Sequence, residues 1–286
     1  MPLHHENRHV NSIRWQRRHI GAHTILIVWS FLVLFPLWVM IVNSFKDRLS
    51  IYQNPFWLPE KWNFSNYLAV LRDGDFINYF KNSLIVVVIS LALVLLIGAL
   101  AGFAFANWRS KAAHMLFFFM IAGMMFPIKI ASIKLLDMMR QLRLLNSIAS
   151  LIPIYTAMGI PIAVFVLTEF IKEIPIELTE AGIMDGAGRF RIFGTIIIPL
   201  IRPALATVGI YNLVPFWNDL WFPLIFITDE RSKTLLLGVT RLFGQYQTDW
   251  SKVLAVLTLS AIPVIALYLA MSKQFIAGLT AGAVKG

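Results

Sequence analysis

Long apolar runs alternate with polar stretches along the whole chain, near residues 24–43, 84–106, 114–136, 148–170, 203–227 and 253–275. Each is long enough, as a helix, to cross a hydrocarbon core of about 30 Å. The pattern predicts an all-α polytopic membrane protein with six transmembrane helices. Two of the runs are irregular. Lys129 and Lys134 follow Pro127 in the second half of the third, and Asn212, Asn218 and Asp219 interrupt the fifth.

Composition agrees with that reading. Hydrophobic residues make up 58% of the chain and charged residues only 14%, where a soluble chain devotes about a quarter of its residues to charge. The absence of cysteine removes disulfides, thiolate metal sites and cysteine nucleophiles together. The net charge of +10 is scattered between the apolar runs rather than gathered in one basic patch, so no nucleic-acid partner is expected.

The charge reads instead as topology. Arg14, Arg17 and Arg18 flank the first run, which places residues 1–23 as a cytoplasmic tail, and an even number of spans returns residues 276–286 to the same side. Between them, 24–275 form one transmembrane domain. Segments 44–83 and 229–252 are its large outer loops, and 171–199 is a cytoplasmic loop. Pro55, Trp57, Pro59, Trp62 and Tyr67 give loop 44–83 the character of folded or interfacial structure rather than a linker.

The loop between the fourth and fifth runs carries the strongest signal. Ile176–Pro199 reads IELTEAGIMDGAGRFRIFGTIIIP, too polar to span and too patterned for a plain connection. Pro175 suits a helix start, Glu177 and Glu180 lie in the first turns where the dipole favours acids, and Gly186 and Gly188 mark a break. Two short helices follow, joined as a compact knob.

This loop resembles that of the carbohydrate-type permeases of ATP-binding-cassette importers, in particular the maltose-type second membrane subunit. The family pattern of Glu-Ala-Ala, then Gly, then Ile-x-Leu-Pro falls on Glu180, Ala181, Gly182, Gly186, Ile196, Ile198 and Pro199, with Gly182 in place of the second alanine and Ile198 in place of leucine. Trp217-Asn218-Asp219 with Pro223-Leu224, and the tail Gly278–Gly286, resemble further segments of that family. The resemblance implies a permease subunit of the bacterial inner membrane that imports a sugar or sugar derivative and forms half of a pore. A second permease subunit, an ATPase dimer and an external solute-binding protein are its implied partners. Glu180, Ala181, Gly182, Asp185 and Gly186 would couple it to the ATPase.

The chain has no phosphate-cradling G-x-x-x-x-G-K-[ST] loop. It is accordingly expected to be no enzyme itself and to bind no cofactor, ATP and Mg being held by the partner ATPase. His4, His5, His9, His19 and His23 cluster before the first run; without acidic or thiol ligands at helical spacing they read as a solvated tail, and no metal site is expected.

Polar groups at bilayer depth face a cavity or another helix. Asn212, Asn218 and Asp219 share one side of a helix over 203–227 that Pro215 and Pro223 would kink, with Trp217 and Trp221 on a neighbouring stripe, and all five are pathway candidates. Helix packing explains them equally well. Lys129 is a further candidate, as a group that attracts an anionic sugar; the alternative is a lysine that snorkels to the interface. A self-contained secondary transporter or channel is the competing function, and it would need more buried acids than Asp219.

Overall fold

A computed structural model describes residues 6–72, 75–108, 110–243 and 248–283, the side chains of 6–19, 271 and 273–283 excepted. The tail glycines from Gly278 onward and His4, His5, His9 and His19 therefore lie outside the described residues or side chains. The described chain is helical almost throughout, and it divides into two units, residues 1–70 with 246–259 and residues 71–245 with 260–286.

Unit 1 is built on α1 (Glu6–Ser44), so the segment expected as a tail is helical from Glu6 and continuous with the first span. Side chains from Ile20 to Trp38 are exposed. Order concentrates at the far end of the helix. The Phe45 ring lies within 5.0–5.2 Å of the Trp62, Phe64 and Tyr67 rings, and the Asn66 amide donates to the carbonyls of Ser44 and Lys46. Lys46 is buried and donates to the Asn54 carbonyl at 2.6 Å. Burial pushes its ammonium pKa down. Asp47 caps α2 (Arg48–Gln53) by accepting from the Ser50 N–H, and α3 (Ser65–Arg72) closes the fold. The loop is therefore folded against the end of α1, while Trp57 and Trp62 stay exposed.

Unit 2 has α4 (Asp75–Asn107) packed along α7 (Leu151–Lys172), with α11 (Arg202–Trp217) against both. Small residues set the approach of these helices. A side chain added to Gly98 would overlap Ala163, and one added to Gly159 would overlap Val94 and the Asn212 amide. Helices in lipid gain little from apolar burial against one another, so close backbone approach and dispersion hold such a pair together. Val94, Ala163, Val164 and Leu167 are fully buried along this seam.

Among the described residues four helices are long and apolar enough to cross a membrane, and counting each of two bent pairs as one span gives six. The third predicted span is one of these pairs. After α5 (Lys111–Ala122) the chain turns through 82° at Phe126–Pro127 before α6 (Ser132–Gln141). The proline at the break and the lysine two residues later, both visible in the sequence, are what a continuous span cannot hold. The other pair bends by 75° between Arg189–Leu200 and Arg202–Trp217. The fifth span itself departs from the single kinked helix expected over 203–227: α11 ends at Trp217, and a separate α12 (Trp221–Phe226) follows.

Candidate functional site

The knob begins where α7 runs out at Lys172. Its first helix, α8 (Ile176–Met184), starts after Pro175 with Glu177 in the first turn, as the helix dipole favours. It ends at Gly186, which takes φ +76, a left-handed backbone that disfavours any side chain. The Gly186 N–H donates to the Ile183 carbonyl and the Ala187 N–H to that of Gly182, both at 2.9 Å, closing the helix end. The chain then reverses into α9 (Arg189–Ile192), a π-helical turn over Phe193–Ile197 and the short α10 (Ile198–Leu200).

Gly182 is the buried residue of α8. A Cβ there would meet the Ile196 and Ile192 side chains at 3.1 and 3.3 Å. The departure from alanine in the family pattern is therefore a packing accommodation: glycine lets α8 settle onto two isoleucines of the returning segment. Glu180, Ala181, Asp185 and Gly186 are all exposed. So are large apolar side chains, Ile183 at 58%, Met184 at 86% and Phe190 at 85%. The knob is a fixed base that presents apolar side chains and carboxylates outward.

The pathway candidates separate into two groups. Asn212 is buried, donates back to the Val208 carbonyl and packs against Gly159. Trp217 is buried as well; its indole N–H donates to the Ser260 carbonyl at 3.0 Å, and its ring meets Phe80 edge-on at 5.6 Å. Both are helix-packing groups. Asn218 and Asp219 do not share a helical face with Asn212, because the helix has already ended. Asn218 is its exposed C-cap. The Asp219 carboxylate accepts from the N–H groups of Trp221 and Phe222, starting α12, and from the Tyr155 hydroxyl at 2.9 Å. One acid thus ties the broken span to α7, where the Tyr155 ring stacks on Phe216 at 5.0 Å.

Trp221 and Lys129 remain on an open face. The Trp221 indole donates to the Ser132 hydroxyl at 2.9 Å, and the Lys129 ammonium lies 5.5 Å from its ring centre. Trp221 is nevertheless 44% exposed. An exposed indole edged by a cation is a suitable surface for a hydroxylated ring. Tyr155, Ser132 and Asn146, whose side-chain oxygen accepts from the Thr228 N–H and hydroxyl, are partners that the sequence reading passed over. Tyr155 alone gave a signal, as a polar-tipped aromatic inside an apolar run.

At the other end of α4 a polar cluster holds the 229–243 segment. Arg241 pairs with Asp75 and Glu230 and donates to the Tyr79 hydroxyl, which itself donates to Glu230. The Lys233 ammonium, foremost, holds the Glu230 carboxyl below its usual pKa. Asn82 donates to the carbonyls of Arg231 and Lys233.

Residues 94–280 match the family model of the binding-protein-dependent transport system inner membrane component. The chain belongs to this family. The permease is 37% identical, over 91% of its own length and 95% of the relative's, to a putative ABC transporter permease protein of Caldicellulosiruptor sp.. It is 32% identical, over 91% and 87%, to the diacetylchitobiose uptake system permease protein NgcG of Streptomyces coelicolor. The permease also shares its fold with a chain from the crystal structure of a bacterial ABC transporter involved in import of the acidic polysaccharide alginate. That match has a TM-score of 0.78, covers 96% of this chain and 100% of the other, and has 22% identity. Family membership removes the self-contained secondary transporter or channel as a competing function. The knob lies inside the matched region.

Proposed function

We propose that the permease forms half of the translocation pore of an ATP-driven sugar importer and is driven through the knob by a separate ATPase. The exposed Met184, Phe190 and Ile183 on the buried Gly182 base carry this reading. An apolar, rigid projection in an otherwise lipid-embedded chain suits a groove in a soluble partner. Because packed elements move as discrete units, closure of that partner tilts the helices that the knob continues. Glu180 faces a basic residue of the ATPase, whose ATP and Mg supply the energy, while this chain binds no cofactor of its own. A second permease subunit completes the pore, and an external solute-binding protein delivers the substrate. The chain sits in the bacterial inner membrane with both termini and the knob cytoplasmic. A sugar or sugar derivative as cargo is supported by relatives named for diacetylchitobiose and alginate transport and by the open Trp221–Lys129 surface.

The test is reconstitution with the cognate subunits and measurement of ATP hydrolysis stimulated by loaded binding protein. Glu180→Lys and Gly186→Pro should leave the permease inserted in the membrane and abolish the stimulation, since charge reversal in a docked contact costs several kcal/mol and proline cannot adopt a positive φ. Unchanged stimulation in both variants overturns the reading. Orientation is checked separately by single cysteines, clean in a chain that has none. In intact cells an impermeant thiol reagent should label Asn54→Cys and spare Gly188→Cys.

A further inference from the structure

A cleft of about 830 Å³ opens beside the knob, between the end of α4, the start of α5, the end of α7 and the start of α8. The functions above make no use of it. Its lining contains Lys111, Lys172 and His114 and no carboxylate. Lys172 shares its ammonium with Glu169 at 2.8 Å and lies over the Phe117 ring, while Lys111 has no ion-pair partner among the described residues. Ser110 caps α5 by accepting from the Ala113 N–H, which leaves the N–H groups of Lys111 and Ala112, the first two of the helix, without an intrahelical acceptor. The dipole of this twelve-residue helix adds positive potential at the same place.

A second observation points to a ligand. Thr168, fully buried, also lines the cleft, and its hydroxyl has no hydrogen-bond partner among the described residues. Buried hydroxyls are nearly always satisfied, so an unpartnered one just behind the wall of a cationic cleft calls for an acceptor from outside the chain, reached by a small local shift. Phe105, Trp108 and Met115 give the remaining wall an apolar character, which suits a ligand that is only partly polar.

We propose that this cleft binds a phosphate-bearing anion, held by Lys111, Lys172, the free N–H groups of α5 and the Thr168 hydroxyl. Such a phosphate comes either from the headgroup of an anionic phospholipid at the membrane border or from a free phosphate compound. Ile176 and Thr179 of α8 form part of the same wall, so an occupant touches the knob directly.

The experiment is native mass spectrometry of the full-length chain, purified with whatever subunits accompany it and titrated with phosphatidylglycerol, phosphatidylcholine or inorganic phosphate. Binding is read without transport or hydrolysis, so its failure leaves the coupling reading untouched, and failure of that reading leaves this one standing. Phosphatidylglycerol should be retained over phosphatidylcholine. Its affinity should fall about fivefold for each of Lys111→Gln and Lys172→Gln, corresponding to ~1 kcal/mol per basic residue. Thr168→Val, a substitution of nearly the same shape, should weaken retention without altering thermal stability. Lys134→Gln, on α6, serves as the control and should change nothing. Retention of inorganic phosphate with the same variant dependence, and no preference between the lipids, supports the site with a free phosphate as its occupant. Equal phosphatidylglycerol binding by wild type and all cleft variants, or no retention of any of the three probes, overturns the proposal.

Discussion

The knob and the broken fifth span both interrupt regular helix with glycine, proline and acid, yet they treat those residues in opposite ways. In the knob, Gly182 faces inward against Ile192 and Ile196, while Glu180, Asp185, Met184 and Phe190 face out. In the fifth span most polar residues are spent on the interior: Asn212 donates back to its own helix while packed against Gly159, the Trp217 indole reaches the Ser260 carbonyl, and Asp219 starts α12 and takes the Tyr155 hydroxyl, with Asn218 left exposed. The same kinds of residue build a handle in one place and a hinge-like joint in the other. What separates them is whether the polar groups find partners inside the chain. An unpaired group at bilayer depth is costly, so the fifth span satisfies its own, whereas the knob can leave its carboxylates to water or to another protein.

Substitutions in the two regions should therefore fail differently. The largest effect on stability is expected for Asp219→Leu, which strands the Tyr155 hydroxyl and two backbone N–H groups. A loss of roughly 3 kcal/mol follows from about 1 kcal/mol per lost partner, read as a lowered thermal midpoint of the purified protein. A midpoint like wild type would show that the joint carries no load. Next comes Gly182→Leu, where overpacking against Ile192 and Ile196 costs about 1–3 kcal/mol. Limited proteolysis should cut this variant within 186–192 while the helix pair α4 and α7 stays protected.

A smaller change is expected for Tyr155→Phe. It removes one bond to Asp219 but leaves the α12 cap, a loss of about 1 kcal/mol or less. If Tyr155→Phe costs as much as Asp219→Leu, the tyrosine rather than the cap holds the joint. On the outward side, Met184→Ala should leave stability within about 0.5 kcal/mol of wild type, as for other exposed positions, while weakening co-purification of the ATPase.

The smallest effect concerns pH. Glu230 has its carboxyl pKa held below the ordinary 4.5, first by the Lys233 hydrogen bond. A depressed carboxyl pKa adds stability that is present above the ordinary value and lost as pH falls through the depressed one. Hydrogen exchange across 229–243 should stay slow from neutral pH down to that range and quicken only below it. Glu230→Gln should remove this acid sensitivity. The Glu230 side chain is half exposed, although that of Lys233 is largely covered, so added salt should weaken the pair slightly as well.

How much of this was legible in the sequence follows from the range of the forces involved. The apolar runs, the aromatic loop after the first span, the Pro175 start and the Gly186 turn are local facts, each set by a few neighbouring residues, and the chain alone determined them. Even the spacing of the knob motif is local, which is why the family was readable from it. Only the tertiary structure decided the rest. Asn212, Asn218 and Asp219 look alike along the chain, but one is packed against Gly159, one caps a helix in the open, and one joins two helices through Tyr155, sixty-four residues away. Gly182 reads as a weak point until Ile192 and Ile196 fold back over it. Pro215 and Pro223 pointed to a kink within 203–227 but not to a full break at Trp217, where the Asp219 carboxylate takes the N–H groups of Trp221 and Phe222 and so favours the start of a new helix. A residue's chemistry is written at its position; its partner is chosen by packing between segments distant in sequence.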